Sequence, residues 1–161
     1  MAARLALLCL VALAAAASPA RAEPASRAAR PVVFVCEHGN VKSLMAASYF
    51  NRLAEERGLV VRAIARGAAP DSTEVPAPIQ AGLRADGLDV SAFHPEKLSQ
   101  QDLSGAGRVV WINTALPPAL ALGAIPSQSW TNVPPASLDF AAARRALLEN
   151  LEALLREISP P

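Results

Sequence analysis

The stretch VVFVCEHGNVKSLMAASYF, residues 32–50, constrains the fold more than any other part of the chain. Pro31 to Val35 is a continuous, mostly β-branched run, the pattern of a strand buried on both faces. Cys36 follows it directly, with Lys42 and Ser43 a short loop later. Ser43 to Arg57 has helical character, with Ala46, Phe50 and Leu53 at helical spacing and Gly58 as a stop. The remainder keeps alternating. A second strand is expected over Leu59–Ala65, a loop over Gly67–Val75 and a proline-led helix over Pro78–Asp86. A third strand is expected over Arg108–Asn113. Thr114 to Pro135 is proline-rich and reads as loop around a short fourth strand near Trp130. Leu138–Ile158 is amphipathic: Phe140, Leu147, Leu151, Leu154, Leu155 and Ile158 make one face. The expected fold is α/β, a small parallel four-stranded sheet with helices on both faces.

Residues 1–22 have a different character. Arg4 gives a positive start, Leu5 to Ala17 is apolar but short for a membrane span, and Ala20-Arg21-Ala22 fits a small-x-small cleavage site. We read 1–22 as a signal peptide, 23–30 as a flexible leader and 31–158 as one domain, in a periplasmic or secreted protein. An uncleaved anchor is the alternative. Leu8 stands where a lipoprotein signal would want a small residue before Cys9, which argues against a lipid anchor.

Cleavage changes the charge and cysteine counts. The chain has 15 Lys+Arg and 14 Asp+Glu, and losing Arg4 and Arg21 turns +1 into 13 − 14 = −1. Such a balance gives no basis for binding nucleic acid, and no stable membrane association is expected after cleavage. Cys9 leaves as well, so Cys36 has no intramolecular partner. In an oxidising compartment such a cysteine is either buried and inert or kept for chemistry.

The position of Cys36 supports chemistry. Ligands of open α/β sheets bind at the carboxyl ends of the strands. A loop curling into a helix aims its N–H groups inward, and the helix dipole adds positive charge, which suits a tetrahedral anion. The same field favours the thiolate form of a cysteine placed within it. Gly39 and Asn40 tolerate the left-handed backbone such a loop needs. Lys42 adds a charge for the anion, and Ser43 is either a helix N-cap or a hydroxyl donor to sulfur. The candidate catalytic residues are Cys36, Lys42 and Ser43. The candidate oxyanion site is Glu37, His38, Gly39, Asn40, Val41, Lys42 and Ser43. His38 either meets substrate or is an exposed loop residue, and His94 reads as part of a turn. Two histidines and one cysteine at these spacings make no metal site, and no cofactor is implied.

VVFVCEHGNVKSLMAASYFNRLAEERGL, residues 32–59, resembles the start of the low-molecular-weight protein tyrosine phosphatase superfamily, which includes thiol-dependent arsenate reductases. Its signature is a buried strand, Cys-x5-Arg-Ser or Thr, and an alanine-rich helix. Residues 61–99, with GLDVSAFHP, resemble the arsenate-reductase branch, and VVWIN, SWTNVPP and the last helix continue the match over about 31–158. The resemblance implies a phosphate-type oxyanion bound at Cys36–Ser43 and thiolate attack by Cys36 on phosphomonoesters of the phosphotyrosine kind. An arsenate reductase using an external thiol and a non-catalytic oxyanion or phosphopeptide binder are the alternatives. The expected partners are therefore a small oxyanion or phosphorylated substrate and, for arsenate, a thiol.

The chain departs from that pattern in three places. Lys42 replaces the loop arginine, exchanging a planar fork for one mobile ammonium. The Gly-Asn pair sits one place further from the cysteine, and His38 takes the position where that glycine often lies. The family's late-loop general acid, an aspartate usually before proline, aligns here with Asn132, a degenerate position because an amide cannot protonate a leaving group. Asp71 and Asp139 are candidate substitutes.

Overall fold

The computed structural model describes residues 30–158. The expected signal peptide, 1–22, and the leader up to residue 29 lie outside the described residues. Four strands, β1 Val32–Cys36, β2 Ala63–Gly67, β3 Arg108–Ile112 and β4 Ser127–Trp130, form one sheet in the order β2-β1-β3-β4. All three pairings are parallel. The helices are α1 Lys42–Glu56, α2 Ala77–Ala85, α3 Gln100–Gly105 and α4 Phe140–Ile158. Among the described residues no helix is long and apolar enough to cross a membrane.

Every residue of β1 is buried. Strand side chains alternate between faces, so the run feeds two cores. Val32, Phe34 and Cys36 join the larger one, with residues of α1, α2 and α4. Phe34 packs edge-on against Phe50 and tilted against Trp130. Val33 and Val35 join Leu103 of α3, Val109 and Trp111 on the opposite face, where Leu116, Leu120 and Ile125 complete the cover. Helices on both faces and a four-stranded parallel sheet are what the alternation of elements predicts.

The element boundaries differ in detail. Cys36 is the last residue of β1 rather than the first beyond it. The second strand is Ala63–Gly67, not Leu59–Ala65, because its register pairs Val32 with Ala63 and Cys36 with Gly67. Asn51 of α1 pins its start, accepting from the Ala63 N–H and donating to the Ala63 carbonyl. Helix α3 was not expected. Six residues are too few to display a helical period, although its capping box, Ser99 reciprocally bonded with Asp102, is readable as Ser-x-x-Asp.

One polar cluster joins α1, the end of α2 and α4. The fully buried Tyr49 donates its hydroxyl to Asp86 at 2.5 Å, Arg144 donates to the same carboxylate at 2.6 Å, and Arg52 donates to the Asp86 carbonyl. Desolvation works to raise the Asp86 pKa, but the bonds from Tyr49 and Arg144 outweigh it and hold the carboxyl below its ordinary range. Burial pushes the Tyr49 hydroxyl up. Because the Asp86 pKa is depressed on folding, its stabilisation is present above the unfolded carboxylate pKa and lost as pH falls through the folded value. Asp86→Ala should therefore cost about 1–3 kcal/mol in denaturant melts at neutral pH by orphaning the Tyr49 hydroxyl. The part of that difference due to the carboxylate charge should shrink in acid.

Candidate active site

Strand order sets the site. The chain leaves β1 toward β2 on one side, and β3 lies on the other, so β1 and β3 flank the switch point of the sheet, where ligands of α/β folds bind. A cavity of about 250 Å³ opens there. Its floor comes from the loop after β1, with Cys36, Glu37 and His38. Asn40, Val41 and Lys42 continue it into the start of α1. Ile112 and Asn113 at the end of β3 form one wall, and Pro135, Ala136 and Ser137 form another.

The loop is held by backbone contacts. Ala68 and Ala69 donate to the Cys36 and Glu37 carbonyls at 2.9 and 2.8 Å, extending the β1–β2 pairing into it. Gly39 has φ +81°, and a Cβ there would lie 2.7 Å from the Gly67 nitrogen. Conversely, a Cβ on Gly67 would lie 2.8 Å from the His38 carbonyl oxygen. Two glycines facing each other thus let the loop lie directly against the end of β2. Asn40 is buried and donates to the Glu74 carbonyl at 2.9 Å, fastening the loop to the segment before α2.

Beyond the Tyr49 hydroxyl, the buried polar side chains among the described residues are Asn40 and Ser43, both in this stretch. Buried polar groups are costly unless partnered. The partner of Ser43 is the thiol itself: its Oγ lies 3.1 Å from Cys36 Sγ. The Gly39 N–H donates to the same sulfur at 3.3 Å. Ser43 is therefore not the N-cap of α1, which begins at Lys42 behind Val41 without a side-chain cap. That leaves the first turn's N–H groups without an internal acceptor, and they stand beside the cavity. Cys36 is free and 5% exposed.

Lys42 donates to Asn113 Oδ1 at 2.8 Å, and Asn113 in turn donates to the Thr131 carbonyl. Burial lowers the Lys42 pKa, while the Cys36 charge works to raise it. Asn113 is the one non-glycine among the described residues with a positive φ, +50°. Sequence reasoning missed it. The usable signal was an asparagine, the residue that best tolerates this conformation after glycine, directly after a buried strand.

The other expected residues are distributed unevenly. Glu37 lines the cavity and accepts from the Thr114 hydroxyl at 3.1 Å. His38 lines it too, and its Nδ1 lies 3.0 Å from Asp71 Oδ1. Asn132 does not face the cavity. It exchanges amide hydrogen bonds with Asn150 of α4, at 2.8 and 3.4 Å. The late loop meets the cavity only three residues later, at Pro135–Ser137, where no side chain is acidic. Asp139 caps α4 by accepting from the Ala142 N–H. Trp130 packs in the core, and His94 is exposed outside the cavity.

These features define a class: a doubly covered parallel α/β domain whose anion loop, at a strand's carboxyl end, holds a cysteine. Residues 31–119 match the sequence profile of the low molecular weight phosphotyrosine protein phosphatases, and the chain belongs to that family. Solved structures share its fold. YfkJ from Bacillus subtilis superposes with a TM-score of 0.71 at 21% identity, covering 81% of this chain and 94% of that one. An arsenate reductase in its phosphate-binding state gives 0.65 at 20% identity, covering 81% and 99%. The low molecular weight protein tyrosine phosphatase of T. tengcongensis gives 0.65 at 18%, covering 81% and 100%. No curated protein sequence matches the chain.

Proposed function

We propose that this protein is a cysteine-dependent phosphatase that cleaves phosphomonoesters of the phosphotyrosine type. The observation that carries this reading is the setting of Cys36 Sγ, with Ser43 Oγ at 3.1 Å and the Gly39 N–H at 3.3 Å on the floor of a cavity that Lys42 also lines. The phosphoryl oxygens lie against the first-turn N–H groups of α1 and the Lys42 ammonium, where charge spreading onto them in the transition state is stabilised. The thiolate attacks phosphorus, and the Ser43 hydroxyl steadies the sulfur before attack and when it is expelled. Water then hydrolyses the cysteinyl phosphate.

Arsenate reduction is the second reading. The likeness of residues 61–99 and the fold match to an arsenate reductase favour it. Cys36 is the free cysteine of the described residues, so an external thiol must supply the reducing electrons. A binding module that has lost catalysis is the third, favoured by the acid-free wall at Pro135–Ser137. Purified protein given a phosphorylated phenol, and separately arsenate with a small thiol, distinguishes the three. The expected result is release of phosphate without thiol. Thiol-dependent arsenite formation alone would move the assignment to reductase, and phosphate binding without either product would leave the module. Export is part of the proposal. It rests on the apolar run Leu5–Ala17 before Ala20-Arg21-Ala22, and a mature N-terminus at Glu23 is the expected product.

A further inference from the structure

The wall where the family would place its acid offers only Pro135, Ala136 and Ser137, and Asn132 is engaged with Asn150. Yet a phenolate or alkoxide leaving group needs a proton. We propose that His38, oriented by Asp71, is the general acid and then the general base of this site. The inference rests on the phosphatase reading above.

The first support is position. His38 lines the same cavity as Cys36 and Lys42. Its Nδ1 is engaged by Asp71 Oδ1 at 3.0 Å, so Nε2 is the ring nitrogen left to meet a ligand. A carboxylate on one imidazole nitrogen fixes the ring's tautomer and orientation, the arrangement of a histidine that moves protons.

The second support is rigidity. Gly67 lies so close to the loop that a Cβ on it would meet the His38 carbonyl oxygen at 2.8 Å and the Pro70 ring at 2.7 Å. The Ala69 N–H also donates to the Glu37 carbonyl. One backbone contact zone therefore sets both the histidine and the segment carrying Asp71. Of the other carboxylates considered, Asp139 is spent on the α4 cap, and Glu37 accepts from Thr114. Glu37 is the rival, because it lines the cavity as well.

The steps balance without a further reactant. Cys36 Sγ forms a bond to phosphorus as the bond to the leaving oxygen breaks. That oxygen keeps the electron pair and takes the proton from His38 Nε2, leaving neutral imidazole. A water oxygen then attacks phosphorus, Nε2 takes its proton, and the S–P pair returns to sulfur. Phosphate leaves, and the thiolate and imidazolium are restored.

The test is turnover of aryl phosphates graded from good to poor leaving groups. The natural chain is compared with His38→Gln, Asp71→Asn, Glu37→Gln and Cys36→Ser. His38→Gln should lose ~100-fold on the poorest leaving group and far less on the best. Asp71→Asn should show the same gradient with smaller losses. Both side chains are half exposed or more, at 50% and 67%, so the variants should fold, and an unchanged melting temperature without ligand confirms it. Equal loss across the series, no loss, or the gradient appearing in Glu37→Gln instead would overturn the assignment while leaving the phosphatase reading standing. A natural chain no faster than Cys36→Ser on every ester would overturn both.

Discussion

Cys36→Ser should abolish turnover and leave oxyanion binding intact. A serine hydroxyl in this loop is not ionised near neutral pH, whereas the thiol it replaces sits 3.1 Å from Ser43 Oγ and accepts from the Gly39 N–H at 3.3 Å. Loss of a nucleophile that acts through its own bond to substrate costs ~10⁴-fold or more. Stability should change by at most about 1 kcal/mol, because Ser43 and Gly39 can pair the new hydroxyl as they pair the sulfur. Phosphate or vanadate should still raise the melting temperature of the variant, since only the folded loop binds them. In the natural chain the same anions should slow alkylation of Cys36. Retained turnover in the variant would mean another nucleophile. A variant that folds but no longer responds to phosphate would mean that the thiol helps shape the cradle.

The sheet and the helices of its larger core were legible because β1 is buried on both faces and α4 is strongly patterned, two signals that local sequence carries directly, whereas α3, the short helix on the opposite face, was not. The floor of the cavity, between Cys36 and Lys42, was legible for the same reason: it is contiguous. What was not legible arises across the fold. Gly67 meets Gly39 only because β2 pairs with β1 as far as Cys36. Asn113 reaches Lys42 from just beyond β3, 71 residues away in sequence. SWTNVPP offers an asparagine at the spacing expected of the acid, and nothing local shows which way it turns. The chain turns Asn132 toward Asn150 and presents the proline end of the same motif to the cavity. Likewise, Asp71 could be named from sequence as a carboxylate in a loop, but its pairing with His38 is a tertiary fact.

Removing the charge of Lys42 should have the second large effect, and its pH dependence separates an anion contact from a structural one. Lys42→Met keeps the length of the side chain and deletes the ammonium. The loss of one preorganised charge contact to the transferring group is worth ~100- to 1,000-fold in rate, and protection of Cys36 by phosphate should weaken with it. Burial lowers the Lys42 pKa from the ordinary 10.5, so the cation disappears earlier than on an exposed lysine as pH rises. Binding needs the protonated form, and phosphate affinity should therefore fall with rising pH before that ordinary value is reached. The measurement is made in Cys36→Ser, so that no thiolate forms to repel the anion over the same range. Lys42→Arg in that background should abolish the alkaline fall, since a guanidinium stays charged throughout. Whether arginine also tightens binding depends on Asn113, whose Oδ1 now holds the lysine nitrogen at 2.8 Å. Both cations have N–H groups to spare once Asn113 is satisfied, but the guanidinium holds its donors in a fixed plane, whereas the ammonium turns freely on a flexible stem. Asn113→Gly, which keeps the positive φ of +50° available, should then weaken binding less beside arginine than beside lysine. Phosphate affinity that ignores both the pH and the Lys42→Met change would make Lys42 a brace for the β3 loop and nothing more.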